Sequence, residues 1–417
     1  MRILYSFGIT LYAFAVRLAS FFNTKARLLA KGWKGWRRKV DFKKLDGKVA
    51  WFHASSLGEF EQARPVMEAF HKRNPDYKIC LTFFSPSGYE IRKNYSGADI
   101  VCYLPPDTRR NARKLIQLMH PDIAFFVKYD FWFNYLNTLN RNNIPTYIFS
   151  AIFRPKQYFF RWYGHWFAKQ LHCYRHIFVQ NDESANLLKT IGITNVSIAG
   201  DTRYDRVTDI AKTAKPIATI EKFLEQFNGT KVLIAGSSWE PDERNIKTFL
   251  DRYDKPLSLI LAPHMIDEGH LHNIEHLFGS DHCIRYSVLN DSMSENICNG
   301  RNILIIDNIG MLSSIYQYAT IAYIGGGFGK GIHNILEATA YHIPVCFGPN
   351  YHKFKEARYI IAAGAARSYD NSDELTEILA TWLDNEEAYN KAKLSCEQAM
   401  SEEGGSTQTI MSYIEVA

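Results

Sequence analysis

Glu59 closes the run Trp51-Phe-His-Ala-Ser-Ser-Leu-Gly-Glu59, in which Ser55, Ser56 and Gly58 follow a short apolar stretch. A carboxylate on the rim of a ligand site can take a proton from an incoming hydroxyl. The bland reading carries equal weight, because an acidic residue is favoured in the first turn of any helix. A second block, Tyr323 to Glu337, places Gly325, Gly326, Gly327, Gly329 and Gly331 after another apolar run, then His333, Asn334 and Glu337. The pattern predicts a strand, a glycine loop and a helix opening near His333, with Asn334 and Glu337 one turn apart on the same face. Backbone N–H groups at Gly326 and Gly327, with the positive end of that helix, would face an anion. Glu337 would accept hydrogen bonds from ribose hydroxyls. Such groups suit a nucleotide joined to a sugar, and the chemistry they imply is glycosyl transfer.

Three further places carry polar groups where strands end. Ile234-Ala-Gly-Ser-Ser-Trp239 offers Ser237 and Ser238 to phosphate or sugar, and Ala262-Pro-His-Met265 holds Pro263 and His264 at the end of the next strand. A lone histidine there is more often packed or on the surface than a ligand. Asp307-Asn-Ile-Gly-Met-Leu312 follows another strand and opens a helix, so the backbone at Ile309, Gly310 and Met311 could read a base edge or a phosphate. No H-E-x-x-H or comparable spacing occurs, so no metal site is expected.

The elements that must position these groups alternate from residue 48 onward. Val49–His53, Ile79–Phe84, Ile100–Tyr103, Ile123–Val127, Thr146–Ser150 and His176–Gln180 are short apolar runs separated by helical patterns. A second series follows: Lys231–Ala235, Leu257–Ala262, Asn302–Asp307, Thr320–Ile324 and Pro344–Phe347. The alternation predicts α/β architecture: two Rossmann-like halves with parallel sheets covered on both faces, parted near 205–228. Residues 48–210 form the first domain and 211–417 the second, after an arm of residues 1–47. The terminal segment 385–417 is helical in pattern and could cross back to the first half.

With 417 residues, 46% of them hydrophobic and 14% aromatic, the chain can bury a large core and is not disordered. Seven scattered cysteines without a C-x-x-C pair favour a reducing compartment over a disulfide framework. Residues 1–48 hold twelve Lys/Arg against two Asp, a balance of +10, and the rest of the chain is net −4. In that arm, residues 3–22 are mostly apolar with Ser6, Thr10, Ala13, Arg17 and Ser20 on one helical stripe, followed by Lys25 to Lys39 with Trp33 and Trp36 interleaved. A cleaved signal peptide fits poorly, since the cationic region follows the apolar one. A spanning helix, an interfacial helix on anionic lipid, or a helix packed on the protein itself remain, and Arg17 with the Trp pair favours the interfacial form. A basic-aromatic stretch from Arg154 to Arg175 carries no nucleic-acid recognition signature, so no nucleic-acid partner is expected; lipid contact or core packing suits it.

Taken together, His53-Ala-Ser-Ser-Leu-Gly-Glu59, the Gly325–Glu337 block and Gly348-Pro349 resemble the Kdo (3-deoxy-D-manno-octulosonic acid) transferases over nearly the whole chain. The resemblance implies a GT-B fold, two Rossmann-like domains facing across a cleft, with a membrane-associated N-terminal helix. It implies inverting transfer of Kdo from CMP-Kdo to a lipid A precursor at the cytoplasmic face of a Gram-negative inner membrane, without a metal or cofactor. The family's proton acceptor falls on Glu59, and its CMP contacts fall on Pro263, His264, Ile309, Gly310, Met311 and Asn334-Ile335-Leu336-Glu337. A basic residue after the first domain falls on Arg203. Where many members read Met-Glu-Thr-Glu-Leu-Trp, this chain has Val127-Lys-Tyr-Asp-Phe-Trp132, so Lys128 stands for the first acid and Asp130 for the second, which is carried over as catalytic. An arginine expected after Ala151 is replaced by Ile152, with Arg154 close by. Two other readings stay open: another GT-B enzyme, such as a UDP-sugar transferase or an epimerase, and a non-catalytic membrane-bound nucleotide-sugar binding module.

Overall fold

The computed structural model describes residues 1–227, 229–291 and 300–416, so Cys298 lies outside the described residues. Two compact units divide the chain, residues 1–206 with 404–417, and residues 207–403. The first is built on β1 (Lys48–Ala54), β2 (Tyr77–Phe83), β3 (Ile100–Tyr103), β4 (Ile123–Val127), β5 (Thr146–Ala151), β6 (His176–Val179) and β7 (Val196–Ile198). They form one parallel sheet in the order β3-β2-β1-β4-β5-β6-β7. Along β1, Val49 and Trp51 enter one core while Ala50, Phe52 and Ala54 enter the other. That two-sided burial is why the strand is apolar throughout instead of alternating. Phe52 stacks on Phe125 at 4.4 Å, and each such buried ring contributes roughly 2–3 kcal/mol by leaving water.

The second unit repeats the plan with β8 (Lys231–Ser238), β9 (Leu257–Pro263), β10 (Cys283–Arg285), β11 (Ile303–Ile305), β12 (Ile321–Ile324), β13 (Val345–Phe347) and β14 (Ala366–Ser368). Its order is β10-β11-β9-β8-β12-β13-β14, again all parallel. The strands that sequence reasoning missed, β7, β10 and β14, are three residues long and lie at sheet edges, where little apolar surface marks them. In each sheet the chain reverses its winding direction once, between β1 and β4 and between β8 and β12. Open α/β sheets bind ligands beyond the carboxyl ends of strands at such a point.

The tail does not stay with the second unit. Residues 404–417 belong to the first, with Ile410, Met411 and Ile414 in the core beneath β1 and β2. Asp205 accepts from the N–H groups of Gly405 and Thr407 at 2.7 and 2.5 Å, which fixes the start of the last helix, Ser406–Tyr413. Arg73 holds its far end through the Met411 carbonyl at 2.7 Å.

At the other terminus, helix Arg2–Ala19 is long and apolar enough to cross a membrane, with a mean hydropathy of 1.2. It lies along the first unit. Tyr5 donates to Asp107, Arg2 reaches Asn134 Oδ1 at 3.3 Å, and Val16 is buried with Leu29, Trp33 and Tyr103. The packed stripe therefore runs through Tyr5, Ser6, Ala13 and Val16, while Thr10 and Arg17 of the expected stripe face outward. Ile3, Leu4, Phe7, Leu11, Phe14 and Leu18 are exposed on the opposite side. Of the aromatic stretch, Phe159 is core and Tyr158, Phe160, Trp166 and Phe167 pack against it, whereas Trp162 is 93% exposed. The six described cysteines are free thiols.

Candidate functional site

In the first unit, helix Leu57–Arg73 begins directly beyond β1, capped by Ser56, whose side chain accepts from the Glu59 N–H at 3.5 Å. Glu59 thus stands in the first turn at the winding reversal. Its Oε2 is buried and, among the described residues, accepts no hydrogen bond. A Cβ on Gly58 would meet only Ser56 Oγ at 3.9 Å, so the glycine leaves open space beside the carboxylate.

Asp130, in the turn after β4, is 5% exposed. It accepts from the Ser55 N–H at 3.2 Å and from the Ser55 hydroxyl. Burial pushes its carboxyl up to about 8, with Glu59's charge adding and the Ser55 hydrogen bonds opposing, so it holds a proton near neutrality. His53 lies against it, Nε2 to Oδ2 at 3.8 Å, and donates from Nδ1 to the Thr82 carbonyl at 3.0 Å. Burial drives this imidazole down to about 3, so it is neutral. Asp130 accordingly sits under the Ser55–Glu59 turn as a positioning group, in place of the exposed, ionised acid that a stabilising role requires.

Arg203 is forked on Asp201, with Nε and Nη2 donating at 3.0 and 2.8 Å and the Arg203 N–H at 3.0 Å. Gln62 and Gln180 add hydrogen bonds to the same carboxylate at 2.9 and 3.1 Å. Burial alone would raise Asp201, but Arg203 and Gln62 outweigh it and hold the group below its ordinary range. Arg203 is therefore oriented by a buried partner at a half-buried position.

In the second unit, the polar groups lie around the reversal between β8 and β12. Ser237 has φ +54° at a bulge in β8, a left-handed conformation uncommon for a side-chain-bearing residue. Ser150 repeats this in the first unit, φ +52° at the β5 bulge. Strain thus falls at the ligand ends of both sheets. Ser238 is fully buried and its hydroxyl donates to Glu243 at 2.9 Å, so that side chain faces inward.

The glycine loop departs from the expected anion cradle. Gly325 N–H donates to Gly236, Gly326 N–H to Asp242 Oδ2 at 2.9 Å, and those of Gly329 and Gly331 to the Gly326 carbonyl. The helix expected from His333 is a single turn, Leu336–Thr339, with Asn334 outside it. Four residues make too small a dipole to hold a phosphate. The glycines answer a packing demand instead: a Cβ at Gly325 would lie 2.1 Å from the Ser237 carbonyl oxygen, and one at Gly327 2.6 Å from Gly348 Cα. Asp242 holds the loop from within, accepting also from Tyr323 Oη at 2.7 Å and the Trp239 N–H at 2.9 Å. Sequence reasoning overlooked Asp242, which stands three residues past the N-cap Trp239 and accepts from its N–H as the acid of a capping box does.

Asn334 and Glu337 do meet, Nδ2 donating to Oε1 at 2.8 Å, and Asn334 Oδ1 accepts from the Leu336 N–H at 3.2 Å. Ile335 and Leu336 have core side chains and offer a ligand only backbone. Pro263 is buried at the end of β9, and Ile309 is 88% exposed beside Gly310, which has φ +100°, and Met311. His264 stacks on both Trp239 and His333, with ring centroids at 4.6 and 4.5 Å, and Trp239 Nε1 donates to His333 Nε2 at 3.2 Å. Burial, then His264, lowers the His333 imidazole. Of this three-ring platform, sequence reasoning names only His264 as a candidate contact. Among the described residues no group of three or more His, Cys, Asp or Glu is arranged to hold a metal.

The sequence profile of 3-deoxy-D-manno-octulosonic-acid transferases (kdotransferases) matches residues 26–206. The chain is similar to the 3-deoxy-D-manno-octulosonic acid transferase of Aquifex aeolicus, 26% identical over 352 residues, 83% of this chain and 88% of the relative. It is also similar to the enzyme of that name from Rickettsia prowazekii, 24% identical over 364 residues, 83% of this chain and 74% of the relative. A solved UDP-GlcNAc 2-epimerase from Neisseria meningitidis, bound to UDP-GlcNAc, covers 88% of this chain and is itself covered to 98%, with a TM-score of 0.60 at 17% identity; that likeness is one of fold.

Proposed function

We propose that this chain, similar to Kdo transferases over most of its length, is a glycosyltransferase of that kind and moves Kdo from CMP-Kdo to a lipid A precursor of the lipid IVA type. Its fold is GT-B, with one Rossmann-like unit carrying Glu59 and the other the Asn334–Glu337 pair. One observation carries the reading: the buried, undonated Oε2 of Glu59. A carboxylate oxygen out of water with no donor is costly, and an acceptor hydroxyl would supply the missing hydrogen bond.

In the proposed step, Glu59 takes the proton of that hydroxyl as its oxygen bonds to the anomeric carbon of Kdo. The bond from this carbon to the CMP phosphate oxygen breaks, and CMP leaves with the electron pair, so the configuration inverts. Arg203, its guanidinium plane set by Asp201, offsets charge on the departing phosphate. Asn334 and Glu337 hold the ribose, and the Trp239–His264–His333 platform with Ile309–Met311 completes the nucleotide side. The scheme uses no metal, and turnover in excess EDTA is its expected result.

The exposed apolar face of helix Arg2–Ala19 and the basic arm after it support attachment to the inner membrane at its cytoplasmic face, with the helix lying in the interface. The test is Glu59→Gln. Transfer should fall about 10²–10⁴-fold, the usual worth of a positioned base, while CMP still raises the melting temperature. Transfer at the wild-type rate would remove the assignment. A larger thermal shift with UDP than with CMP would point to a UDP-sugar enzyme.

A further inference from the structure

The two longest stretches of this chain without an acidic residue are residues 1–40, with nine Lys/Arg, and residues 131–181, with six. The fold lays them side by side. Tyr5 of the N-terminal helix packs on Phe133 and Trp166, with ring centroids at 5.1 and 6.0 Å. Arg2 Nε and Asn134 Oδ1 are 3.3 Å apart, and Asn134 Nδ2 donates to Ser6 Oγ at 3.1 Å. Two rings of the second stretch stand clear of this packing. The Arg161 carbonyl accepts from the Gly164 N–H at 2.7 Å, closing a turn whose central residues are Trp162 and Tyr163, both exposed. The turn is tightly held: a Cβ at Gly164 would lie 1.7 Å from the Tyr158 carbonyl oxygen, and the Gln157, Phe160 and Arg161 N–H groups all donate to backbone carbonyls. Turn tips ordinarily carry small polar residues. A fixed Trp–Tyr tip, on a stretch that also exposes Lys156, Arg161 and Lys169 and holds no carboxylate side chain, has the composition of a membrane interface. There, rings with a polar edge sit at headgroup depth and cations meet lipid phosphate. The loop carrying this turn leaves the carboxyl end of β5, the end of the parallel sheet at which Glu59 stands after β1.

We propose that Trp162 and Tyr163 insert into the headgroup layer of an anionic bilayer, as a second contact beside helix Arg2–Ala19. A helix lying in the interface leaves the body free to roll about the helix axis. A second inserted point fixes that roll and turns the Glu59 end of the sheet toward the lipid. The inference rests on the reading of the N-terminal helix as interfacial.

The experiment floats the full-length protein with vesicles of phosphatidylcholine alone and of phosphatidylcholine mixed with phosphatidylglycerol, comparing wild type, Trp162→Phe, and Trp162→Ser combined with Tyr163→Ser. Wild type should favour the anionic vesicles, and the double Ser variant should partition onto them about tenfold less, the loss of roughly one inserted ring. Trp162→Phe should keep most of the partition. Phospholipids brominated near the headgroup should quench the tryptophan emission of wild type more than that of Trp162→Phe. In detergent, where no bilayer orients the body, the double variant should transfer at the wild-type rate, and on vesicles more slowly. Equal partition of wild type and the double variant, or equal quenching in Trp162→Phe, would overturn the proposal, and is the result expected if the tip meets a protein instead. Wild type that ignores both kinds of vesicle would remove the membrane reading of the helix along with it. Tip-dependent binding to anionic vesicles by a protein that makes no transfer from CMP-Kdo would sink the functional reading and leave this one standing.

Discussion

Tyr5 donates its phenolic hydrogen to Asp107 Oδ2 at 2.7 Å, joining residues 102 apart in sequence. Asp107 also accepts from the N–H groups of Asn134 and Tyr135 at 3.0 and 2.9 Å, so the N-terminal helix is tied to the same carboxylate that caps helix Phe133–Arg141. A helix tied by its polar side presents its apolar side outward, which suits a bilayer surface better than a bilayer interior.

Replacing Tyr5 by Phe should therefore cost about 1–2 kcal/mol of stability in detergent, the worth of one hydrogen bond to a buried charge acceptor. It should also speed proteolysis within residues 1–40. Urea midpoints and timed digestion measure both. If the helix leaves the body to span the membrane, neither quantity will move.

The second expectation concerns pH. Asp130 is raised from 3.8 to about 8 by burial, so the folded protein keeps a proton that the unfolded chain has released. Stability from this site then falls as pH rises from about 4 to about 8, and is level above that. Asp130→Asn should flatten that part of the slope. Melting curves between about pH 5 and 9 compare the two proteins, and parallel slopes would mean that Asp130 ionises normally.

Asp242→Ala should strike the nucleotide side alone. It strands the buried Gly326 N–H and removes the partner of the Trp239 N–H, leaving the Tyr323 hydroxyl only Tyr369, at a cost of about 3 kcal/mol. Weaker CMP binding by calorimetry should accompany the lower denaturation midpoint. Wild-type CMP affinity in this variant would show that the glycine loop needs no internal brace.

Two glycines should respond in opposite directions. At Gly325 a methyl group meets backbone of residues 237 and 238, which cannot yield cheaply, and Ala should cost roughly 3 kcal/mol. At Gly58, in a helix with open space, Ala should stabilise by roughly 0.5–1 kcal/mol. Chemical denaturation of both variants checks the pair.

Much of this was legible beforehand, because central parallel strands are apolar on both faces and their ends are marked by glycine and serine. Ile100–Tyr103 and Ile123–Val127 have the same bounds in sequence reasoning and in the structure. The chain's similarity to Kdo transferases also agrees with the motifs. What stayed hidden depends on partners distant in sequence. Gly326 looks like an anion donor until Asp242, 84 residues away, takes its N–H. Arg203 gives no sign of its orientation until Asp201 forks it. Asp130 looks ionised until its burial is known. The helix at Leu336 was overextended because glycine loop and apolar run continue a helical spacing that backbone bonds at Gly325 and Gly326 break up.

The return of residues 404–417 to the first unit has a consequence for synthesis. Ile410, Met411 and Ile414 complete a core begun by β1, so that core stays open while almost the whole chain is made on the ribosome. The second unit, residues 207–403, can finish folding while its elder neighbour still waits for its last helix. A nascent chain arrested before residue 404 would carry an apolar groove for chaperones to hold, and its release would come only once the helix Ser406–Tyr413 is made.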